Sequence, residues 1–307
     1  MKAIALQRYG GPDVLELTEL PDPPVGPDTV LVRVRAAGVN PVDAKVREGY
    51  LDRAWPAHFP LVPGWDAAGT VEAVGPGVWE YAPGDEVMGY VRKDHVQGGT
   101  YAELVASPVR CLATKPASLS WVEAAGLPLA GLTAFQALKA AQCNEDDTVL
   151  VHAAAGGVGH IAVQLAVAQG ARVIGTASER NHGLLRDLGA EPLTYGEGLV
   201  DRVRELAPRG VDVAIDAFGG EALDASAAVV RDPERIVSIV DPARVKELGG
   251  RYVFVRPDRD DLAALAAHVE GGKLRVVVQQ TFPLAEAAAA QRLVEQRHVA
   301  GKVVLEV

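Results

Sequence analysis

The first third of the chain alternates between apolar and polar positions. In Thr29-Val30-Leu31-Val32-Arg33-Val34-Arg35-Ala36, positions 32, 34 and 36 are apolar while 33 and 35 are Arg, the period-2 pattern of a half-buried strand. Thr70-Val71-Glu72-Ala73-Val74 reads as another strand, ending at Gly75-Pro76-Gly77. Glu86-Val87-Met88-Gly89-Tyr90 is a third, entered through the turn signal Pro83-Gly84-Asp85. Short strands punctuated by Gly and Pro predict an all-β lobe, a barrel.

The rhythm changes near Ser120. Trp121 to Ala141 is rich in Ala and Leu and helical in character, with Pro128 and Gly131 interrupting it. Beyond Asp147, β and α segments alternate. Strands are expected at Thr148–His152, Arg172–Thr176, Val211–Ile215, Arg235–Ile239 and Tyr252–Val255, with a further one just before Tyr195. Helices fall between them at His160–Ala168, Asn181–Leu188 and Val200–Leu206, and Asp260–Glu270 reads as the last, stopped by Gly271-Gly272. This order predicts an α/β, doubly wound parallel sheet. The tail from Val276 closes on the β-rich Gly301–Val307, which is expected to return to the first lobe.

Composition narrows the function classes. A length of 307 residues suits about two domains. Hydrophobic and charged fractions of 49% and 23% exclude long-range disorder. The net charge of −10 argues against a nucleic-acid surface. Two cysteines, Cys111 and Cys143, cannot build a disulfide framework and read as free thiols in a reduced cytosol, so a cytoplasmic protein is expected. The opening Met1–Arg8 is charged and its apolar part is too short for a signal peptide. Thr148 to Ala171 carries no formal charge and is long enough to span a bilayer, but its four glycines and two histidines divide it into strand, turn and helix. It reads as protein core, and no membrane partner is expected.

That stretch holds the best chemical signal. Val149-Leu150-Val151-His152-Ala153-Ala154-Ala155-Gly156-Gly157-Val158-Gly159 runs a buried strand into a tight glycine turn and at once into a helix. Free backbone N–H groups and the positive helix end then point at a pyrophosphate, which a Cβ would keep away. Val158, Ile161, Ala162 and Leu165 form a stripe expected to face the sheet. About 20 residues after such a loop an NAD enzyme would carry an acid for the ribose hydroxyls. Ala177 occupies that place, followed by Ser178, Glu179 and Arg180. Ser178 and Arg180 suit a 2′-phosphate, and NADPH is the expected cofactor. Glu179 weakens that case, and Arg180 can also be read as a solvated residue at a helix start.

Here the motifs resemble a known family. Ala37-Gly38-Val39-Asn40-Pro41-Val42-Asp43, Pro63-Gly64-Trp65-Asp66-Ala67-Ala68-Gly69, Gly131-Leu132-Thr133-Ala134-Phe135, Ala153–Gly159, Asp216-Ala217-Phe218-Gly219-Gly220 and Gly301-Lys302-Val303-Val304 are spread over the full length. Together they resemble the medium-chain dehydrogenase/reductases, specifically the zinc-free, quinone-oxidoreductase-like branch. The resemblance implies a GroES-like β-barrel catalytic domain over 1–119 and 276–307 around a central Rossmann domain over 120–275. It also implies a homodimer formed edge to edge through the last strand, near Tyr252–Val255.

In zinc-dependent relatives, the resemblance implies, a Cys in the first segment and a His in the second hold the catalytic metal. Asn40 and Trp65 stand there, the third ligand place falls near Leu129, and none supplies a thiolate or imidazole. Val91 to Thr100 is short and has no Cys for a structural zinc lobe, and Asp94-His95 reads as a solvated loop pair. No metal is expected. Alcohol oxidation needs a Lewis acid to hold the alkoxide. Reduction of a quinone or an α,β-unsaturated carbonyl needs only hydrogen bonds to the carbonyl that gains charge.

Candidate residues follow from the motif positions. Asn40 either donates its amide to the substrate oxygen or fixes the turn before Pro41. Tyr50 lines the pocket or supplies a proton, or else lies on a surface loop. Trp65, with Asp66, would shape or buttress the pocket floor. For the cofactor, Ala155, Gly156, Gly157, Val158 and Gly159 would cradle the pyrophosphate. Thr133 matches a nicotinamide contact or bonds its own helix. Phe218 and Gly219, with Ile239 and Val240, would wall the nicotinamide side. Tyr195 would cover the adenosine phosphate or is a plain loop residue. The expected function is an NADPH-dependent quinone or enone oxidoreductase. A pathway-specific enoyl reductase and a non-catalytic NADPH-binding sensor or structural protein remain open alternatives.

Overall fold

Backbone pairing divides the chain into two units, one of mixed and one of purely parallel sheet. The computed structural model describes residues 1–55 and 57–307. In chain order the strands are β1 (Lys2–Ala5), β2 (Glu16–Glu19), β3 (Thr29–Val39), β4 (Asp66–Val74), β5 (Glu86–Tyr90), β6 (Leu104–Pro108), β7 (Leu112–Thr114), β8 (Thr148–Val151), β9 (Arg172–Thr176), β10 (Glu191–Leu193), β11 (Val213–Asp216), β12 (Ile236–Ser238), β13 (Arg251–Tyr252), β14 (Val278–Pro283) and β15 (Lys302–Glu306). The helices are α1 (Pro41–Arg47), α2 (Trp121–Gly126), α3 (Pro128–Ala140), α4 (Gly159–Ala168), α5 (His182–Asp187), α6 (Leu199–Leu206), α7 (Glu221–Val229), α8 (Pro242–Glu247), α9 (Arg259–Glu270) and α10 (Ala287–Glu295).

The first unit comprises residues 1–129, 257–270 and 276–307. It therefore takes in 120–129 and α9, segments that the sequence pattern groups with the second. Its main sheet runs β14-β15-β3-β4-β5-β7, with β6 also paired to β3. Val30, Val32 and Val34 are buried and Arg35 is exposed, as the alternation of β3 requires. At Arg35 the register against β4 shifts, and Ala36, Ala37 and Val39 are all buried beyond it. A bulge of this kind re-aims the end of a strand, here the segment that delivers Asn40. The tail returns to this unit, since β15 pairs antiparallel with β3, Val303 opposite Val39.

The second unit comprises residues 130–256 and 271–275. Its strands are all parallel in the order β10-β9-β8-β11-β12-β13. The chain turns from one side of β8 to the other when it reaches β11, and a crevice opens at such a switch point, outside the strand carboxyl ends. Helix α4 buries every residue from Gly159 to Ala166, not only the expected stripe. Gln164 on its far side accounts for this, because its side chain donates to the Arg275 carbonyl at 3.0 Å and accepts from the Arg275 N–H at 2.9 Å.

Several boundaries differ from the pattern reading for local reasons. The stretch 121–141 forms two helices, because Pro128 has no N–H to continue the first and is favourable as the start of the next. Helix α1 is too short to show a helical period in sequence. Arg235 leaves its strand because its guanidinium reaches Asp147 at 2.6 Å and the Ala141 carbonyl at 3.0 Å. Val211 bridges Val230 instead of extending β11, and β13 keeps only two residues at the sheet edge.

Arg47 at the end of α1 is fully buried and ties three segments of the first unit together. Its guanidinium donates to the Gly10 carbonyl at 3.0 Å, Gln291 Oε1 at 2.7 Å and Glu295 Oε1 at 2.7 Å. Arg47→Ala is expected to lower unfolding free energy by about 3 kcal/mol, the lower end for a broken buried pair, because Glu295 can return to water. Urea denaturation checks it, and a loss under about 1 kcal/mol would show that the buried guanidinium is not what joins α1 to α10.

Candidate functional site

In the first unit a buried polar cluster forms where β3, β4 and β15 meet. Gly38 lies opposite Asp66 in register, and a Cβ on Gly38 would sit 2.9 Å from the Asp66 Cβ and 2.4 Å from the Ala125 carbonyl oxygen. Only glycine leaves room there for the Asp66 side chain. The Asp66 carboxylate is fully buried. Its Oδ1 accepts the Leu129 N–H at 2.8 Å, and its Oδ2 accepts the Asn40 amide at 2.8 Å. The Lys302 ammonium, also buried, stands 3.7 Å from Asp66 Oδ2 and donates to Asn40 Oδ1 at 2.5 Å. With an ammonium on one side and a carboxylate on the other, the orientation of the Asn40 amide is determined: oxygen to Lys302, nitrogen to Asp66.

Asn40 also precedes α1, where Asp43 Oδ2 accepts the Asn40 backbone N–H at 2.8 Å and the Tyr101 hydroxyl at 2.9 Å. Asp43 Oδ1 is buried without a hydrogen-bond partner. Burial pushes the Asp43 carboxyl up to about 7. Burial likewise raises Asp66 to about 6, with the Lys302 charge opposing it. Burial lowers Lys302, against the pull of both carboxylates. The cluster is thus poorly solvated throughout, and each charge depends on its neighbours.

In the second unit the β8 strand ends at Val151 and the chain turns through 152–158 into α4. Ala153 holds φ 50°, a strained value for a residue with a Cβ. Its carbonyl oxygen would lie 2.2 Å from a Cβ at Gly159, so the helix start closes on the loop only with glycine there. The Gly156 carbonyl accepts the His160 N–H at 3.0 Å and contacts His160 Nδ1 at 2.9 Å. These residues fit a dinucleotide pyrophosphate, because the turn at 157–159 presents backbone N–H groups at the start of α4.

Below the loop, His152 is buried between Ser226 Oγ at 2.9 Å and Thr176 Oγ1 at 3.4 Å. Ser226 donates its own proton to the Ala222 carbonyl at 2.9 Å, so its oxygen receives the His152 Nε2–H. Burial lowers the imidazole to about 4 and keeps it neutral. Asp216, at the end of β11, holds two loops. Its Oδ1 accepts the N–H groups of Phe218 at 2.9 Å and Gly219 at 2.8 Å, and its Oδ2 accepts the Ser238 hydroxyl at 2.7 Å. Ser238 Oγ in turn accepts the N–H groups of Val240 at 3.2 Å and Asp241 at 3.1 Å.

The expected residues fall as follows. Asn40, Trp65 and Thr133 are buried, whereas Tyr50 is 73% exposed on the turn after α1. Ala155 is buried, Gly156, Gly157 and Val158 are half-buried, and Gly159 opens α4. Ala177 is buried at the end of β9, with Ser178 half-buried and Arg180 exposed in the turn beyond it. Tyr195 (54% exposed) and Phe218 (56% exposed) present open faces on loops after β10 and β11. Gly219, Ile239 and Val240 share the two loops joined by Asp216 and Ser238. Lys302, Asp43, Tyr101 and the Asp216–Ser238 pair were not assigned roles from sequence. Asp43, Asp216 and Lys302 do lie inside family-like segments, so a signal for all three was present.

Zinc does not fit this site. Asn40 Oδ1 is engaged by an ammonium, and the Trp65 and Leu129 side chains carry no ligand atom. Among the described residues no group of three or more His, Cys, Asp or Glu could hold a metal ion.

Comparisons with known proteins agree with this architecture. The family model of the alcohol dehydrogenase GroES-like domain matches residues 26–117, and that of zinc-binding dehydrogenases matches 188–305. An NADPH-dependent alkenal/one oxidoreductase of Arabidopsis thaliana chloroplasts is 36% identical over 99% of this chain and 79% of its own length. A quinone oxidoreductase structure from Coxiella burnetii superposes with a TM-score of 0.90 at 36% identity, over 100% of this chain and 99% of that one. A structure described as an NAD-dependent alcohol dehydrogenase does so with a TM-score of 0.90 at 36% identity and full coverage of both chains. The chain belongs to the medium-chain dehydrogenase/reductase family, in its zinc-free, quinone-oxidoreductase-like branch. Its two units are a GroES-like domain and a parallel-sheet, Rossmann-type domain.

The raised Asp43 pKa has a definite sign. The folded protein holds this proton between about pH 4 and 7 while the unfolded chain has lost it, so stability falls as pH rises through that window. Asp43→Asn keeps an oxygen for both donors and removes the buried charge. Relative to this variant, the parent is expected to lose on the order of 2–4 kcal/mol of stability between pH 4 and 7. Denaturation at a series of pH values measures the difference, and a constant offset would place Asp43 in a solvated environment.

Proposed function

We propose that the protein is a zinc-independent oxidoreductase that uses NADPH to reduce a quinone or an α,β-unsaturated carbonyl. The orientation of Asn40 carries this reading. Its oxygen is taken by Lys302 and one amide hydrogen by Asp66, which leaves an N–H as the group available to an acceptor. Such a donor stabilises an oxygen that gains negative charge, and the buried ammonium on the amide oxygen strengthens it. The names of relatives point the same way, an alkenal/one oxidoreductase and a quinone oxidoreductase among them.

NADPH supplies the hydride when bound. Ala155, Gly156, Gly157, Val158 and Gly159 would hold its pyrophosphate, and Ser178 and Arg180 its 2′-phosphate, with no acid at Ala177 to repel that phosphate. Tyr195 would cover the adenosine side. Thr133, Phe218, Gly219, Ile239 and Val240 would line the nicotinamide, the last four kept in place through Asp216 and Ser238. Asn40 would bind the acceptor oxygen, Trp65 would back the pocket and Tyr50 would close over it. Water or a side chain returns the proton to the enolate or the reduced quinone. The catalytic role belongs to 1–119 with 276–307, and cofactor binding to 120–275. The same reading makes the protein a cytoplasmic homodimer joined through the β13 edge, where Tyr252 and Phe254 are partly exposed.

Purified protein mixed with NADPH and 9,10-phenanthrenequinone or a simple enone is expected to consume the nicotinamide absorbance rapidly. Tight NADPH binding without turnover on any acceptor would instead support a non-catalytic sensor. NADPH should bind at least about tenfold more tightly than NADH, about 1.4 kcal/mol, and Arg180→Ala should remove most of that preference. Equal affinities in the parent protein would refute the Ser178/Arg180 assignment.

A further inference from the structure

The loop between β10 and α6 is held from one side by a single residue. Gly196 and Gly198 adopt φ 90° and 74°, the left-handed region that favours glycine and gives a loop little stiffness of its own. Tyr195 precedes them, 54% exposed, and its hydroxyl bonds no other described residue. Arg202, in the first turn of α6, reaches back along this loop. Its Nη2 donates to the Thr194 carbonyl at 2.9 Å, and its Nη1 donates to the Glu197 carbonyl at 2.9 Å. The first carbonyl belongs to the peptide just before Tyr195, and the second lies two residues beyond it. Tyr195 thus stands on a segment clamped at both ends by one guanidinium, whose planar fork can make two such bonds with little extra loss of freedom. A Cβ on Gly198 would lie 3.0 Å from Arg202 Nη1, so a side chain there would crowd the clamp.

Arg202 is not engaged in an ion pair. Among the described residues no carboxylate pairs with it, and its Nε is buried without a hydrogen-bond partner. A half-buried guanidinium satisfied only by two carbonyls of one loop gives up hydration to hold that loop. The loop it holds lies at the end of the sheet where the adenosine side of the cofactor is read. Strands β9 and β10 pair in parallel, Thr176 opposite Leu193, and the Ala177 N–H continues the ladder to the Leu193 carbonyl at 3.0 Å. Ser178 and Tyr195 each follow two residues after these last paired positions, at neighbouring strand ends.

Resting on the reading of Ser178 and Tyr195 as residues at the adenosine phosphate of NADPH, we propose that Arg202 is a positioning residue that holds Tyr195 beside Ser178 and so contributes to the preference for NADPH over NADH. It acts through the loop carbonyls and not as a ligand of the phosphate, because both Nη groups are turned to the protein.

Fluorescence titration of the full chain with NADPH and with NADH tests this. Arg202→Met keeps the length of the side chain and removes its donors, whereas Arg202→Lys keeps a donor for one carbonyl. Arg202→Met is expected to weaken NADPH binding about tenfold and NADH binding less than about threefold, with Arg202→Lys between it and the parent. In a Tyr195→Ala background the same substitution should change NADPH affinity less than about twofold, because no ring is left to hold. In steady state the loss should fall on KM for NADPH more than on kcat. An NADPH affinity unchanged in Arg202→Met, an equal loss for both cofactors, or an undiminished loss in the Tyr195→Ala background overturns the positioning role and leaves the NADPH reading intact. If Arg202→Met does not fold, the same comparisons on Arg202→Lys decide. A parent that binds NADPH no more tightly than NADH refutes the NADPH reading, and the role of Arg202 falls with it.

Discussion

A carboxylate with no access to water has to be matched by donors, and Asp66 is matched from three distant parts of the chain. Its partners are the Leu129 N–H at the start of α3, the Asn40 amide at the end of β3 and the Lys302 ammonium at the start of β15. Removing any one leaves buried charge unpaired, which costs far more than an ordinary hydrogen bond. The return of the tail to the first sheet, the bulge at Arg35 in β3 and the glycine opposite Asp66 all serve this arrangement. The same arrangement determines the orientation of the Asn40 amide, which the proposed function would use toward an acceptor oxygen.

The second unit solves a related problem with an imidazole, hydroxyls and a single buried carboxylate. Three loops at the carboxyl ends of β8, β11 and β12 are held from beneath by buried side chains. His152, uncharged between two hydroxyls, supports the first. Asp216 and Ser238 accept four loop N–H groups between them and hold the other two loops. Phe218 and Val240 then keep exposed side chains while their backbones are fixed from beneath. Binding surfaces on loops commonly depend on such a rigid scaffold.

Much of this was legible in the sequence, and the rest was not for identifiable reasons. Local signals were strong. The alternation in Thr29–Ala36, the glycine turn at 153–159 and the strand at Arg172–Thr176 each depend on neighbouring residues, and the fold class follows from their order. Asn40, Trp65 and Asp66 stood out because they lie in dense motifs. The motif Gly301–Val304 marked Lys302, but its role could not be read, since its partner Asn40 is 262 positions away. Asp216 reaches Ser238 across 22 positions, a distance that β-strand pairing closes but periodicity does not reveal. Strand ends were least legible, because side chains such as Arg235 decide them through contacts with distant carbonyls.

In the proposed function this scaffold directs hydride to conjugated carbon with a hydrogen-bonded carbonyl and no metal. NADPH carrying deuterium at the transferable C4 position, reacted with trans-3-benzoylacrylate methyl ester, tests it most directly through NMR of the product. Conjugate reduction places the deuterium on the carbon β to the ketone and leaves the ketone intact. Deuterium on the carbinol carbon of an allylic alcohol would mean direct carbonyl reduction and would contradict the assignment.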